Sequence, residues 1–160
     1  MKYNVKIPEK RRSKMMTTPY VMLVDDEVPF VETMTKRLDK RGLKIVSASS
    51  GEEALKTLKE NDTVDVIVLD VKMPGMDGIE TLQKIKKNYP LKEVIMLTGH
   101  ATVETAIEGM KLGAFDYLMK PCDIDTLVAK VDEAAKKKKS HDEKIEQARI
   151  EELVLRRGYD

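Results

Sequence analysis

Five polar positions in this 160-residue chain each follow a short apolar run: Asp25 and Asp26 after Tyr20–Val24, Asp70 after Val66–Leu69, Thr98 after Val94–Leu97, and Lys120 after Phe115–Met119. If those runs are strands whose ends converge, three carboxylates, a hydroxyl and an ammonium meet in one cleft. Two carboxylates about 5 Å apart repel by roughly 3 kcal/mol at an effective dielectric near ~20. Three of them push one toward protonation unless a cation is supplied. Lys120 supplies one positive charge, and a divalent metal would supply the rest. All-oxygen ligands with few protein contacts suit Mg2+, which keeps several waters and often shares a phosphate. The set therefore reads as a phosphate-and-Mg2+ site with a carboxylate nucleophile.

Asp70 is the sharpest of these signals. Val66–Leu69 is β-branched and apolar throughout, the pattern of a strand buried on both faces of a parallel sheet. Pro74, Gly75 and Gly78 then force a loop before the next helical pattern. Taken alone, Asp70 is equally well read as a turn cap. Its company decides for the cleft.

The elements that must position these residues alternate strictly. Tyr20–Val24 precedes a helix with Pro29 in its first turn and Phe30, Val31, Met34 and Leu38 as its apolar positions, ending near Gly42. Leu43–Ala48 is a strand candidate, and Ser50 to Glu53 has capping-box spacing for a helix through Leu55 and Leu58. After the Asp70 strand, Ile79, Leu82 and Ile85 keep helical spacing until Pro90 blocks it. Val94–Leu97 leads to a helix from about Thr102, with Val103, Ala106, Ile107 and Met110 on one face and Gly113 beyond its end. Phe115–Met119 leads to a last helix opened by Asp123, with Ile124, Leu127, Val128 and Val131 inward. Five strand–helix pairs imply an α/β fold with a parallel sheet covered on both faces. Right-handed crossovers leave few topologies for it.

Composition narrows the class. The chain is 41% hydrophobic, enough for one domain with a core, and its 29 basic and 28 acidic residues leave a net charge of +1. Nothing global favours nucleic acid or a membrane surface. No apolar run approaches a membrane span and no signal-peptide core is visible, and the single cysteine, Cys122, fits a reducing cytoplasm. Residues 1–18 form a basic arm without apolar periodicity, expected to be disordered, unless translation begins at Met15 or Met16. Residues 19–139 hold the domain. Lys136–Lys139 is a block of four lysines, and residues 140–160 are expected to be a helical or flexible tail whose apolar residues make no clean heptad.

The pattern Asp25-Asp26, Asp70 followed by Met73-Pro74-Gly75-Met76-Asp77-Gly78, Thr98, and Lys120-Pro121 resembles the receiver domain of two-component response regulators. The likeness covers roughly Tyr20 to Lys137. Thr102–Pro121 is especially similar to receivers of nitrogen-regulator-class activators. The resemblance implies a flavodoxin-like (CheY-like) sheet of order 2-1-3-4-5. It implies Asp70 as phosphoacceptor from the phosphohistidine of a sensor histidine kinase or phosphotransfer protein. It implies Mg2+ held by Asp26 and Asp70 directly, by Asp25 through water, and by the Lys72 backbone carbonyl. Lys120 and Thr98 would contact the phosphoryl group, Tyr117 would turn inward with Thr98, and the Lys120–Pro121 bond would be cis. Such a domain phosphorylates and dephosphorylates itself and is not a turnover enzyme. Its output partner is not named by the sequence, and a phosphorylation-dependent homodimer fits.

Other readings stay open beside it. Lys72 and His100 lie where this family tunes dephosphorylation, or are ordinary surface residues. Cys122, Met22, Met34, Met96, Met110 and Met119 read as packing residues. His141 lies in a polar tail, and neither histidine is placed for phosphotransfer. One alternative function is a truncated receiver of a multidomain transcriptional activator, although no DNA-binding motif fits after Asp123. Another is a metal-dependent aspartyl-nucleophile phosphatase of the haloacid dehalogenase type. That type carries a second acid two residues after the nucleophile, where this chain has Lys72.

Overall fold

The computed structural model describes residues 18–100 and 102–158. The basic arm expected over residues 1–18 therefore lies, up to residue 17, outside the described residues. Five strands form one parallel sheet in the order β2-β1-β3-β4-β5. They are β1 (Tyr20–Val24), β2 (Lys44–Ala48), β3 (Val66–Leu69), β4 (Glu93–Thr98) and β5 (Asp116–Met119). The helices are α1 (Val28–Lys40), α2 (Gly51–Glu60), α3 (Gly78–Asn88), α4 (Val103–Lys111) and α5 (Ile124–Arg157). The flavodoxin-like order implied by the sequence is the order observed. The order in which successive strands are added reverses at β1 and β3, and such a switch point opens a crevice at the carboxyl ends of the strands.

Alternation along each strand divides the core in two. Met22, Val24, Ile67, Leu69, Val94 and Met96 face Ala54 and Leu58 of α2 and Leu82 and Ile85 of α3. Val21, Leu23, Val66, Val68, Ile95 and Leu97 face Met34 and Leu38 of α1 and Leu127, Val131 and Ala134 of α5. β3 is buried at every position, as its unbroken apolar run requires. Each such side chain stabilises the fold by about 1.5–3 kcal/mol through burial, so the three central strands form a stiff base for whatever their tips carry.

Two sequence expectations need correction. Met22, Met34 and Met96 are core residues, but Met110 and Met119 are 47% and 62% exposed. The apolar face of α4 points out rather than in: Val103 and Ile107 are also exposed, and Gly109 is the buried residue of that helix. Periodicity finds an apolar face, but not whether a sheet lies under it. Second, the Ser50 hydroxyl accepts from Glu53 N–H at 3.1 Å as a capping box requires, but the Glu53 carboxylate returns to Ser49. There it accepts from the backbone N–H at 2.8 Å and from the hydroxyl at 2.6 Å. Ser49 offers two donors at that distance, which outcompete one. Past the lysine block, α5 continues as one helix of 34 residues. No helix among the described residues is long and apolar enough to cross a membrane.

Candidate functional site

The tips of β1, β3, β4 and β5 bring all five sequence-selected residues to one edge. The ladder continues one residue past each strand: Asp25 N–H donates to Ala48, Asp70 N–H to Val24, and Lys120 N–H to Thr98, at 2.9–3.1 Å. Asp25 and Asp70 are thereby anchored through their backbone N–H groups. Asp25, Asp26 and Asp70 each place a carboxylate oxygen within 4.8 Å of the others. Asp25, Asp70 and Thr98 are buried, whereas Asp26 is exposed.

The loop after β3 is shaped by two glycines. Gly75 has φ +76°, a left-handed conformation that a side chain strains. Gly78 starts α3 where a Cβ would lie 2.1 Å from the Asp70 carbonyl oxygen, so only glycine lets α3 approach that strand end. Gly78 N–H closes the loop on the Val71 carbonyl at 2.7 Å, and the Asp77 carboxylate caps α3 by accepting from Glu80 N–H at 2.8 Å. The carbonyl of Lys72 lies within this closed loop. The Lys120–Pro121 bond is cis.

Charge at the site is unbalanced. Lys120 Nζ is 2.6 Å from Asp25 Oδ2, 3.7 Å from Asp70 Oδ2 and 4.0 Å from Glu27 Oε1. Its charge also lies 3.9 Å from the centre of the Phe30 ring. The other Asp25 oxygen accepts from Glu27 N–H at 2.9 Å. Burial pushes the Asp25 carboxyl above the usual aspartate range, against the pull of the Lys120 and Glu27 hydrogen bonds, and the Asp70 charge adds to the rise. Asp70 Oδ1 is buried and has no hydrogen-bond partner. A buried carboxylate oxygen without a donor is costly. Three acids against one ammonium, with a free buried oxygen and an exposed acid beside it, are a donor set that fits a hard divalent cation such as Mg2+.

Thr98 Oγ accepts from His100 N–H at 3.0 Å. Tyr117 pairs with Met96 of β4 across the ladder, and its hydroxyl is bonded to Thr105 Oγ of α4 at 3.0 Å. Lys72 and His100 line opposite sides of a shallow depression of about 450 Å³ between the loops after β3 and β4. Cys122 lies outside the acidic cluster, its thiol raised by burial and by the Asp123 charge. His141 lies on the distal part of α5, away from the strand tips.

Four contributors were not selected from the sequence. Glu27 serves through its backbone N–H and Phe30 through its ring, and neither use leaves a residue-type signature. Glu52, opening α2, accepts from Met76 N–H at 3.2 Å and so ties the loop after β3 from outside. Thr105 had a readable signal: Thr102 and Thr105 have the i, i+3 spacing of a capping box, and the structure forms one there.

Residues 21–132 match the response regulator receiver domain. The chain belongs to the response regulator receiver family. It is 41% identical over 112 residues to the DNA-binding transcriptional regulator NtrC of Klebsiella pneumoniae, covering 70% of this chain and 24% of that protein. It is 39% identical over 114 residues to the transcriptional regulatory protein ZraR of Escherichia coli K12, covering 71% of this chain and 26% of that protein. The chain thus spans about a quarter of the length of these relatives. Among solved structures, the receiver domain protein of Clostridium thermocellum superposes with a TM-score of 0.73 at 37% identity, over 76% of this chain and 97% of that one. The receiver domain of NtrX from Brucella abortus gives 0.68 at 30% identity, over 72% and 98%. A receiver of the nitrogen-regulator class is what the sequence resembled, and receiver domains serve phosphorylation-based two-component signalling.

Proposed function

We propose that Asp70 is the phosphoacceptor of this receiver and that the donor is the phosphohistidine of a sensor kinase or phosphotransfer protein. The observation that carries this reading is the buried, unpartnered Asp70 Oδ1 at the switch point of the sheet, with Lys120 3.7 Å from its other oxygen. In the transfer, an Asp70 carboxylate oxygen forms a bond to phosphorus as the phosphorus–nitrogen bond breaks, and the electron pair leaves on the imidazole nitrogen. Lys120 and Thr98 stand at the neighbouring strand tips to take phosphoryl oxygens, the first by charge and the second by its hydroxyl proton. Asp26, Asp70, the Lys72 carbonyl and, through water, Asp25 would hold Mg2+, which when bound neutralises charge on the phosphoryl oxygens. Loss of the phosphoryl group to water restores Asp70, so the chain acts as a switch rather than as a turnover enzyme.

The outward-facing Val103, Ile107, Met110 and Met119 lie on α4 and β5. Their exposure supports the face of α4, β5 and α5 as the output surface, toward a partner protein or a second copy. The Tyr117–Thr105 hydrogen bond joins that face to the strand next to Thr98. The testing experiment is incubation with acetyl phosphate and Mg2+, followed by mass spectrometry of the borohydride-reduced chain. Borohydride reduces an aspartyl phosphate to homoserine with release of phosphate, so homoserine in place of Asp70 is expected, and reduction of any other residue would overturn the assignment.

A second reading is the receiver portion of a longer transcriptional activator, supported by the similarity to NtrC and ZraR. Whether the native reading frame continues in phase past Asp160 tests it directly.

A further inference from the structure

At the end of the sheet opposite the acidic pocket lies a second charged cluster, and the lysine block belongs to it. Leu127, Val131 and Ala134 are the buried residues of α5. The next positions on that face, three and four residues after Ala134, are Lys137 and Lys138. Lys137 Nζ lies 3.7 Å from Glu93 Oε1 and 5.7 Å from the centre of the Phe115 ring. Lys138 Nζ lies 3.5 Å from Asp65 Oδ1 and 2.7 Å from Asp142 Oδ2.

Glu93 is the unusual member. It begins β4, is 2% exposed, and its Oε2 is buried without a hydrogen-bond partner. A buried carboxylate in that condition depends on the nearest ammonium for its stability. Asp65 is equally central, since its other oxygen accepts from Tyr20 N–H at 2.9 Å and its backbone carbonyl accepts from Glu93 N–H at 3.2 Å. The two lysines therefore grip the starts of β1, β3 and β4 together.

By its own sequence the helix should weaken here. Four consecutive lysines crowd like charge onto about one turn, and Ser140, His141 and Asp142 after them are poorer helix formers than lysine. Beyond Asp142 every described residue of α5 is exposed. That arm, from Glu143 to Arg157, spans about 22 Å at the helical rise, a length at which an isolated helix is marginal in water.

We propose that Lys137 and Lys138 clamp α5 to Glu93 and Asp65 at the base of the sheet, so that the distal helix leaves the domain as a strut of fixed direction. The clamp offsets the lysine repulsion at the one place where the helix would otherwise break. It also ties the strut to β4, the strand whose other end is Thr98. The contacts of Lys137 and Lys138 are remote from Asp70, and the clamp is independent of which residue accepts phosphate.

The test uses the full chain with Cys122→Ser and nitroxide labels at Lys59→Cys on α2 and Arg149→Cys on the arm. Pulsed dipolar spectroscopy should give a narrow distance distribution. Lys137→Ala with Lys138→Ala, combined with Glu93→Gln to remove the buried charge, should keep the fold and at least double the width of that distribution. Hydrogen exchange over Ser140–Arg157 should quicken by about tenfold in the same variant. Lys138→Ala alone, which leaves the Glu93 pair intact, should broaden the distribution by less. A distribution as narrow in the triple variant as in the parent would overturn the proposal, since helix stiffness alone would then direct the arm.

Discussion

Lys120 rests on Asp25, not on Asp70: its ammonium is 2.6 Å from the first carboxylate and 3.7 Å from the second. The lysine thus offsets the repulsion within the acid pair while leaving one side of Asp70 open. Lys120→Met should strand two buried carboxylates and destabilise the metal-free protein by about 3 kcal/mol. Urea melts with and without Mg2+ check this, and Mg2+ should recover more stability in the variant than in the parent.

Asp70→Asn keeps the side-chain volume and removes both the proposed nucleophile and a charge that raises Asp25. Phosphorylation by acetyl phosphate should be abolished. The metal-free protein should become more stable, because the repulsion that helps to raise Asp25 is relieved. A variant less stable than the parent would mean that the acid cluster is not strained.

Asp25 is buried and engaged by Lys120 and Glu27, whereas Asp26 is exposed beside it. Mg2+ binding, followed by titration calorimetry, should therefore weaken more with Asp26→Ala than with Asp25→Ala. For Asp25, proposed to act through water and held by Lys120, a loss of about tenfold is expected. Chelation should stop phosphorylation of the parent altogether.

Tyr117 is held to α4 by Thr105 Oγ at 3.0 Å. Thr105→Val removes that partner at nearly constant volume and should shift Tyr117 toward Thr98 before any phosphorylation. Fluorotyrosine NMR would show it as a moved or broadened Tyr117 line. Thr98→Ala should still accept phosphate on Asp70, yet lose the amide shifts along Thr102–Leu112 that phosphorylation produces in the parent.

The Glu53 carboxyl lies below its usual range, because it accepts hydrogen bonds from the Ser49 hydroxyl and backbone N–H. A depressed acid contributes stability that is present above its unfolded value and lost as pH falls through its folded value. Glu53→Gln should flatten that part of the acid limb, lowering stability at neutral pH and leaving it little changed below the folded value, as urea melts from neutral into the acid range would show.

The strand tips were readable because a fully buried strand must be continuously apolar, so the first polar residue marks where it surfaces. That single rule located Asp25, Asp70 and Thr98; β5 is only half-buried and contains Asp116, so Lys120 was marked by its place at the end of that run rather than by burial. Pro29, Pro74, Gly75 and Gly78 are equally local, since each restricts or frees its own backbone. The alternation of strand and helix then required a parallel sheet. Its order is non-local, and the residues suggested it by resemblance rather than by physics.

Tertiary structure alone decided what each local pattern met. An amphipathic stripe on α4 looks like one on α3, yet α3 buries Leu82 and Ile85 while α4 leaves Ile107 and Met110 in solvent. Lys120's preference for Asp25 over Asp70 depends on the side-chain reach between the tips of two strands. A run of lysines reads as a solvated surface because charge is costly to bury. Only the fold brings Glu93 and Asp65 beneath Lys137 and Lys138, and opposite charge at 3.5–3.7 Å turns a break in the pattern into an attachment point.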